Sequence, residues 1–190
     1  NLWDLEQIEV LRGPQSTNVG RNALIGATVI RTNNPQLDEF EAAGRVEAGN
    51  FDTYAFEGMV NLPVTANTAL RITGERSQTD GFIDNVTLGT DDTGKTEFTT
   101  FRAKLLTDFS EDFRAVTSLQ YVEGDIGSKF FIADANGPLD TFVSTTNIPE
   151  LFTYKGATGS LNLMYDLSDR WTIQSITAFS DGDFTRLTDG

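Results

Sequence analysis

The sequence contains neither cysteine nor histidine. Their absence removes disulfides, thiol chemistry, most zinc sites and the Ser-His and Cys-His pairs of nucleophilic catalysis, so an enzyme is the least favoured class. Basic residues are scarce: 14 Lys and Arg stand against 28 Asp and Glu, a formal charge of -14. No nucleic-acid partner is expected from that balance, because such partners are held by basic patches. No apolar run approaches the roughly 20 residues of a membrane-spanning helix, and the N-terminus has neither a basic region nor an apolar signal segment. The chain begins inside a β-like run, Leu5 to Leu11, and stops at Thr188-Asp189-Gly190 without a closing strand. Both ends are expected to be cuts.

What is present favours strands and turns. Hydrophobic residues make up 38% of the 190, with 17 Gly, 14 Phe and abundant Thr, Asn and Asp. Beyond Phe40 the apolar residues alternate in segments of roughly ten, the period and length of a membrane β-strand. Phe40, Ala42, Gly44, Val46 and Ala48 share one face, and Glu41, Ala43, Arg45 and Glu47 the other. After Gly49-Asn50-Phe51-Asp52, the residues Tyr54, Phe56, Gly58, Val60 and Leu62 oppose Ala55, Glu57, Met59 and Asn61, which predicts a hairpin. A turn is predicted over Pro63 to Thr68, then a third strand with Leu70 and Ile72 against Arg71, Thr73 and Glu75. Further strands are predicted at Phe101 to Phe109, Phe113 to Val122, Ala157 to Leu167 and Trp171 to Phe179. The last alternates poorly, since Ser175 and Thr177 share the face of Trp171 and Phe179.

The predicted connections fall into two classes. Those after the second, fourth and sixth strands are short; Asp80 to Thr96 and Gly124 to Gly156, after the third and fifth, are long. Short turns at one end and long loops at the other are the asymmetry of an outer-membrane barrel. Aromatic residues such as Tyr54, Phe101, Phe109, Phe113, Tyr121, Tyr165 and Trp171 lie mostly near strand ends, as interface girdles do. The alternative is a soluble β-sandwich in which the same aromatics form the core. Arg45, Glu47, Glu57, Arg71, Glu75, Arg102, Lys104 and Arg114 suit either a hydrated lumen or a sandwich's outer face.

Before Phe40 the text changes. Asp4 to Ser16 reads DLEQIEVLRGPQS, followed by Val19-Gly20-Arg21-Asn22-Ala23 and then Gly26-Ala27-Thr28-Val29-Ile30-Arg31-Thr32-Asn33-Asn34-Pro35. Leu5, Ile8, Val10 and Leu11 make a short apolar strand that Gly13-Pro14 breaks, and Ala27 to Thr32 is a second β run. A compact two-strand corner is implied. A phosphate loop is disfavoured, because Gly13 to Gly20 lacks the Gly-Lys-Ser/Thr ending.

This stretch resembles the end of the plug domain of TonB-dependent outer-membrane receptors, where an IEVLRGP strand and turn precedes a YGRNAIGGAINI segment, a last strand and an exit into the barrel. The matching residues include Arg12, Gly13, Pro14, Gly20, Arg21 and Gly26; Ser16 and Ile25 depart from the pattern where the family usually carries glycine. The resemblance implies a mainly β fold: about seven strands of a 22-strand-type antiparallel transmembrane barrel, preceded by the C-terminal part of an α/β plug. Residues 1–36 would belong to the plug and 37–190 to the incomplete barrel. Seven strands cannot close a barrel of this class, since the first and last would be open edges in lipid.

The same resemblance implies energy-coupled uptake of a large ligand, with a ferric siderophore foremost. The partners would be the TonB complex, reached through a region N-terminal to this chain, outer-membrane lipid and an extracellular ligand; no cofactor is implied. Arg12 would join a lock between plug and barrel, with an ordinary surface or intra-plug salt bridge as the alternative. Ligand contacts are expected on the long loops, with Asp84, Asp91, Asp92, Phe130, Phe131 and Tyr154 as candidates. The acidic group Asp80, Asp84, Asp91 and Asp92 offers oxygen ligands to Ca²⁺, but its spacing is not that of an EF-hand and a solvated loop is the expectation. A passive porin and a soluble binding module are the rival functions.

Overall fold

A computed structural model describes residues 3–14, 25–127 and 142–187. The chain divides into two compact units, Asn1–Asn34 and Pro35–Gly190. In the first, β1 (Leu5–Arg12) pairs antiparallel with β2 (Gly26–Thr32), placing Ile8 beside Ile30, Val10 beside Thr28 and Arg12 beside Gly26. The predicted corner is thus a two-stranded ribbon. Its ends are tied by local bonds: Asn33 Nδ2 donates to Asp4 Oδ1 at 2.8 Å, and the Gly13 N–H donates to the Ile25 carbonyl at 3.1 Å. Two positions require glycine. Gly13 has φ +84°, a left-handed conformation that L side chains resist, and a Cβ on Gly26 would stand 2.7 Å from the Leu11 carbonyl oxygen.

The second unit is a meander. Strands β3 (Glu41–Gly49), β4 (Thr53–Thr65), β5 (Thr68–Thr79), β8 (Thr96–Ser110), β9 (Phe113–Gly127), β11 (Leu151–Ser168) and β12 (Trp171–Leu187) form one seven-stranded antiparallel sheet, each paired with the next. Three short strands, β6 (Ile83–Asn85), β7 (Thr90–Thr93) and β10 (Val143–Ser144), form a separate small sheet in order β10-β6-β7. The large sheet is open, with β3 and β12 at its edges.

All seven predicted strands are present, and several run longer than predicted. Pro63 lies inside β4 opposite Ala69, so the turn shrinks to Ala66-Asn67. The shorter β3 ends its pairing at Glu41 opposite Asn61, so the donor missing at Pro63 breaks no bond to that neighbour. At the long-loop end β9 continues to Gly127, β11 starts at Leu151 and β12 runs to Leu187. Apolar alternation stops earlier, but polar cross-strand pairs carry the ladder on. The stretch Asp80 to Thr96, read as a plain loop, contains β6 and β7.

Register sorts the two faces. One row reads Ala42, Val60, Ile72, Ala103, Leu119, Gly159 and Phe179; the next toward the short turns joins Leu62, Leu70, Leu105, Thr117, Leu161 and Thr177. The seventh strand therefore places Ser175 and Thr177 on the apolar face. That face is bounded by aromatics at both ends: Phe109 stacks on Phe113 at 5.2 Å and Phe113 meets Tyr165 at 6.1 Å near the short turns, while Phe101 pairs with Tyr121 and Tyr54 packs on Phe56 at 5.7 Å toward the long loops. The eight-residue step from Phe113 to Tyr121 spans about 26 Å along the strand at about 3.3 Å per residue. A tilt near 40° makes this about 20 Å of height, the order of an outer-membrane barrel's apolar band.

Candidate functional site

The polar face carries the charges. Its central row reads Glu41, Asn61, Arg71, Lys104, Ser118, Ser160 and Ala178. Here burial is inverted relative to a water-soluble sheet. Glu57, Asn61, Arg71 and Thr73 are buried, whereas Val46, Phe56, Leu105, Phe109, Leu119, Tyr165 and Phe179 on the opposite face are exposed. Buried charges are tolerated only when paired, and these are. Arg45 grips Glu57 through both carboxylate oxygens, with Nη2 to Oε1 at 2.8 Å, and Arg71 Nη1 meets Glu41 Oε2 at 3.0 Å. Arg102 Nε donates to Thr73 Oγ1 at 3.3 Å, and near the short turns Arg114 is bidentate to Asp108 at 2.6 and 2.8 Å.

Asn61 has a role that its sequence position does not advertise. With 0% of its surface exposed, its Oδ1 accepts the Gln36 N–H at 2.9 Å, while its Nδ2 donates to the carbonyls of Gln36 at 2.9 Å and Glu39 at 2.6 Å. The segment leading into β3 is thereby fastened to β4. An asparagine at an alternating strand position signals only a polar face, so the partner segment was not recognisable.

Beyond the Phe101 and Tyr121 row the apolar face turns charged. Arg76 pairs with Glu97 at 3.1 Å, Lys95 with Glu97 at 3.3 Å, and Lys155 with Glu123 at 2.6 Å. The predicted strands stop short of this change, because charges replace the apolar residues while period two continues through Glu123 and Lys155. Hydrogen bonds from Lys155 and then Tyr121 hold the Glu123 carboxyl below its ordinary value of 4.5, and the bond to Glu97 holds the Lys95 ammonium above its ordinary range. A depressed carboxylate pKa contributes stability that is present above 4.5 and lost as pH falls through the lowered folded value. In ¹³C-labelled full-length protein the Glu123 carboxyl should titrate below 4.5, and Lys155→Met should move its midpoint upward. Identical midpoints in the two proteins would remove the pair from the account.

The residues anticipated from sequence are only partly assembled. Arg12 and Gly26 face each other at the end of the ribbon, with Gly13 and Pro14 following. Gly20, Arg21, Phe130 and Phe131 lie outside the described residues. Asp84 sits exposed on β6, and Asp91 and Asp92 sit exposed on β7 beside it. Tyr154 is on the polar face of β11, opposite Gly124 and Phe184. A cavity of about 450 Å³ at this end is lined by Asp92, Lys95, Glu97, Asp125, Thr146 and Glu150 among others. Asp84, Asp91 and Tyr154 are not among its described walls. Among the described residues no three Asp or Glu are gathered to hold a metal ion.

The sequence matches no protein-family model. Solved structures do resemble it. The ferric yersiniabactin uptake receptor FyuA from Yersinia pestis aligns with 96% of this chain at 21% identity and a TM-score of 0.80, using 29% of its own length. FpvA of P. aeruginosa, solved with heterologous pyoverdines and iron, aligns with 96% at 18% identity and 0.79, over 25% of its length. The ferric-catecholate import receptor Fiu from E. coli K12 aligns with 96% at 19% identity and 0.77, over 30% of its length. These neighbours are transport receptors, not enzymes. At such identities the likeness concerns the fold: this chain has the fold of TonB-dependent outer-membrane receptors and spans 23–30% of the length of the solved examples.

Proposed function

We propose that this chain is the plug-to-barrel junction of a receptor in the outer membrane of a Gram-negative cell, one that imports a large ligand at the expense of inner-membrane energy. One observation carries the reading: an Arg12-Gly13-Pro14 ribbon precedes, along the chain, a sheet whose apolar face is exposed while the polar face buries Glu57, Asn61 and Arg71. In water that arrangement is upside down; against lipid on one side and a hydrated lumen on the other it is correct. Residues 1–36 are assigned to the plug and 37–190 to the barrel, near the division between compact units at Asn34/Pro35. The polar face then lines the lumen and the long loops face outward. Arg12 is assigned to the lock between plug and barrel. Asp84, Asp91, Asp92, Phe130, Phe131 and Tyr154 are assigned to ligand contact. A ferric siderophore is the proposed ligand class, because the structural neighbours include receptors for such compounds. TonB would act through the region N-terminal to this chain.

The test is uptake of ⁵⁵Fe-siderophore by cells producing the full-length receptor. Uptake should fall to background when a protonophore or deletion of TonB removes the energy source, while surface binding on ice persists. Uptake unchanged by de-energisation would make the protein a passive porin.

A further inference from the structure

Three connections at the long-loop end are joined to one another by backbone pairing, a buried amide and an aromatic stack. β10 runs parallel to β6, with Val143 beside Asp84 and Ser144 beside Asn85. The Asp84 N–H donates to the Phe142 carbonyl at 3.0 Å and the Val86 N–H to that of Ser144 at 3.1 Å. Asn85, 2% exposed, uses its whole amide: Nδ2 donates to the carbonyl and hydroxyl of Thr146 at 3.0 and 2.9 Å, and Oδ1 accepts the N–H groups of Thr87 and Leu88 at 3.0 and 2.9 Å. Ser144 and Thr146 are buried with it, and Thr87 Oγ1 adds a bond to the Thr145 carbonyl at 3.0 Å.

The β3–β4 turn is drawn in as well. Phe82 meets Phe142 edge-on at 5.0 Å and packs on Phe51 at 5.8 Å, so three connections share one aromatic stack. The Phe51 carbonyl also accepts the Asp80 N–H at 3.0 Å. A satisfied buried polar centre of this kind is high-stakes: intact it holds a unique arrangement, and with one member removed the rest lose their partners together.

We propose that residues 50–53, 80–95 and 142–147 form one cooperative body, pinned by Asn85, that opens as a unit rather than as three independent loops. If this end faces outward, as the proposed function has it, access to the barrel mouth is set by one element. The cooperativity itself does not depend on that reading, nor does its test.

The test is hydrogen exchange of the full-length protein in detergent, read by mass spectrometry. Asn85→Ala should speed amide exchange at least tenfold in peptides covering 83–86, 142–146 and 50–53 alike, with wall peptides covering 100–107 and 157–164 unchanged. Acceleration confined to 83–86 would overturn the proposal. If Asn85→Ala fails to fold, the pair Asp84→Cys and Val143→Cys decides, since adjacent register partners suit disulfide geometry and this chain has no native cysteine. Oxidation should slow exchange at least tenfold in the 50–53 turn, which the bond does not touch. An unchanged turn, or a pair that does not oxidise, would refute the single body.

Discussion

Leu161→Arg should strongly destabilise the full-length receptor folded into phospholipid vesicles, and Ser160→Arg, one residue earlier, should fold like the parent. Leu161 lies opposite Thr117 and Thr177 on the apolar face, two steps along that face from Tyr165 and two from Ala157, hence at mid-height between the aromatic rows. An arginine at the bilayer midplane of a barrel costs about 2–4 kcal/mol, a fall of about 30- to 700-fold in the ratio of folded to unfolded protein at about 1.4 kcal/mol per tenfold. Ser160 points to the other face between Ser118 and Ala178, small neighbours that leave room for a long hydrated side chain. Heat-modifiable gel mobility after dilution from urea reads both outcomes. Equal folding of the two variants would mean that neither face meets lipid, and a soluble sheet would have to be reconsidered.

Asn61→Leu should lower stability by about 3 kcal/mol, roughly one for each of three lost hydrogen bonds. The leucine keeps the branched shape without polar atoms but is the larger side chain, so overpacking at this buried position adds to the loss of the polar contacts. It leaves the Gln36 N–H and the carbonyls of Gln36 and Glu39 without the partners they have now. Asn61→Asp is the sharper variant: it keeps an acceptor for Gln36 N–H but sets a carboxylate against two carbonyl oxygens. It should therefore be the less stable of the two at pH 7 and recover part of the loss on acidification, when the carboxyl becomes a donor. The urea midpoint and amide exchange over residues 36–40 are the measurements. Neither changing in Asn61→Leu would show that the segment into β3 is held by something other than this side chain.

The wall was legible because its code is local. Period-two alternation in Tyr54 to Leu62 or Phe113 to Val122 needs only the next residue but one, and the register follows once short turns such as Ser110-Glu111-Asp112 fix where strands fold back. The ribbon was legible for a similar reason, since Gly13-Pro14 and Gly26 bracket two short apolar runs. What escaped is what depends on distant partners. Asn61 looks like any polar-face residue until Gln36 and Glu39 are set beside it. Asn85 reads as a loop polar until Thr146, 61 residues on, arrives to meet it. Pro63 read as a turn because a proline inside a strand is tolerated only where a neighbour is missing, and the length of β3 is not written near it. The strand extensions past Tyr121 escaped because cross-strand ion pairs replace the apolar pattern that marks the rest. Of the site residues expected on the loops, Asp92 reaches the cavity wall and Asp84, Asp91 and Tyr154 do not.

The meander order of the wall bears on how the protein is built. Every strand of the large sheet pairs with the one just made, so each ladder can close as soon as its second strand exists, with little chain entropy lost per step. The β10–β6 pairing is different, because it must wait until β8 and β9 have been made between its two halves. Assembly thus has a natural sequence in which the wall is laid down hairpin by hairpin and the cap residues clasp last, after the strands beneath have brought them within reach.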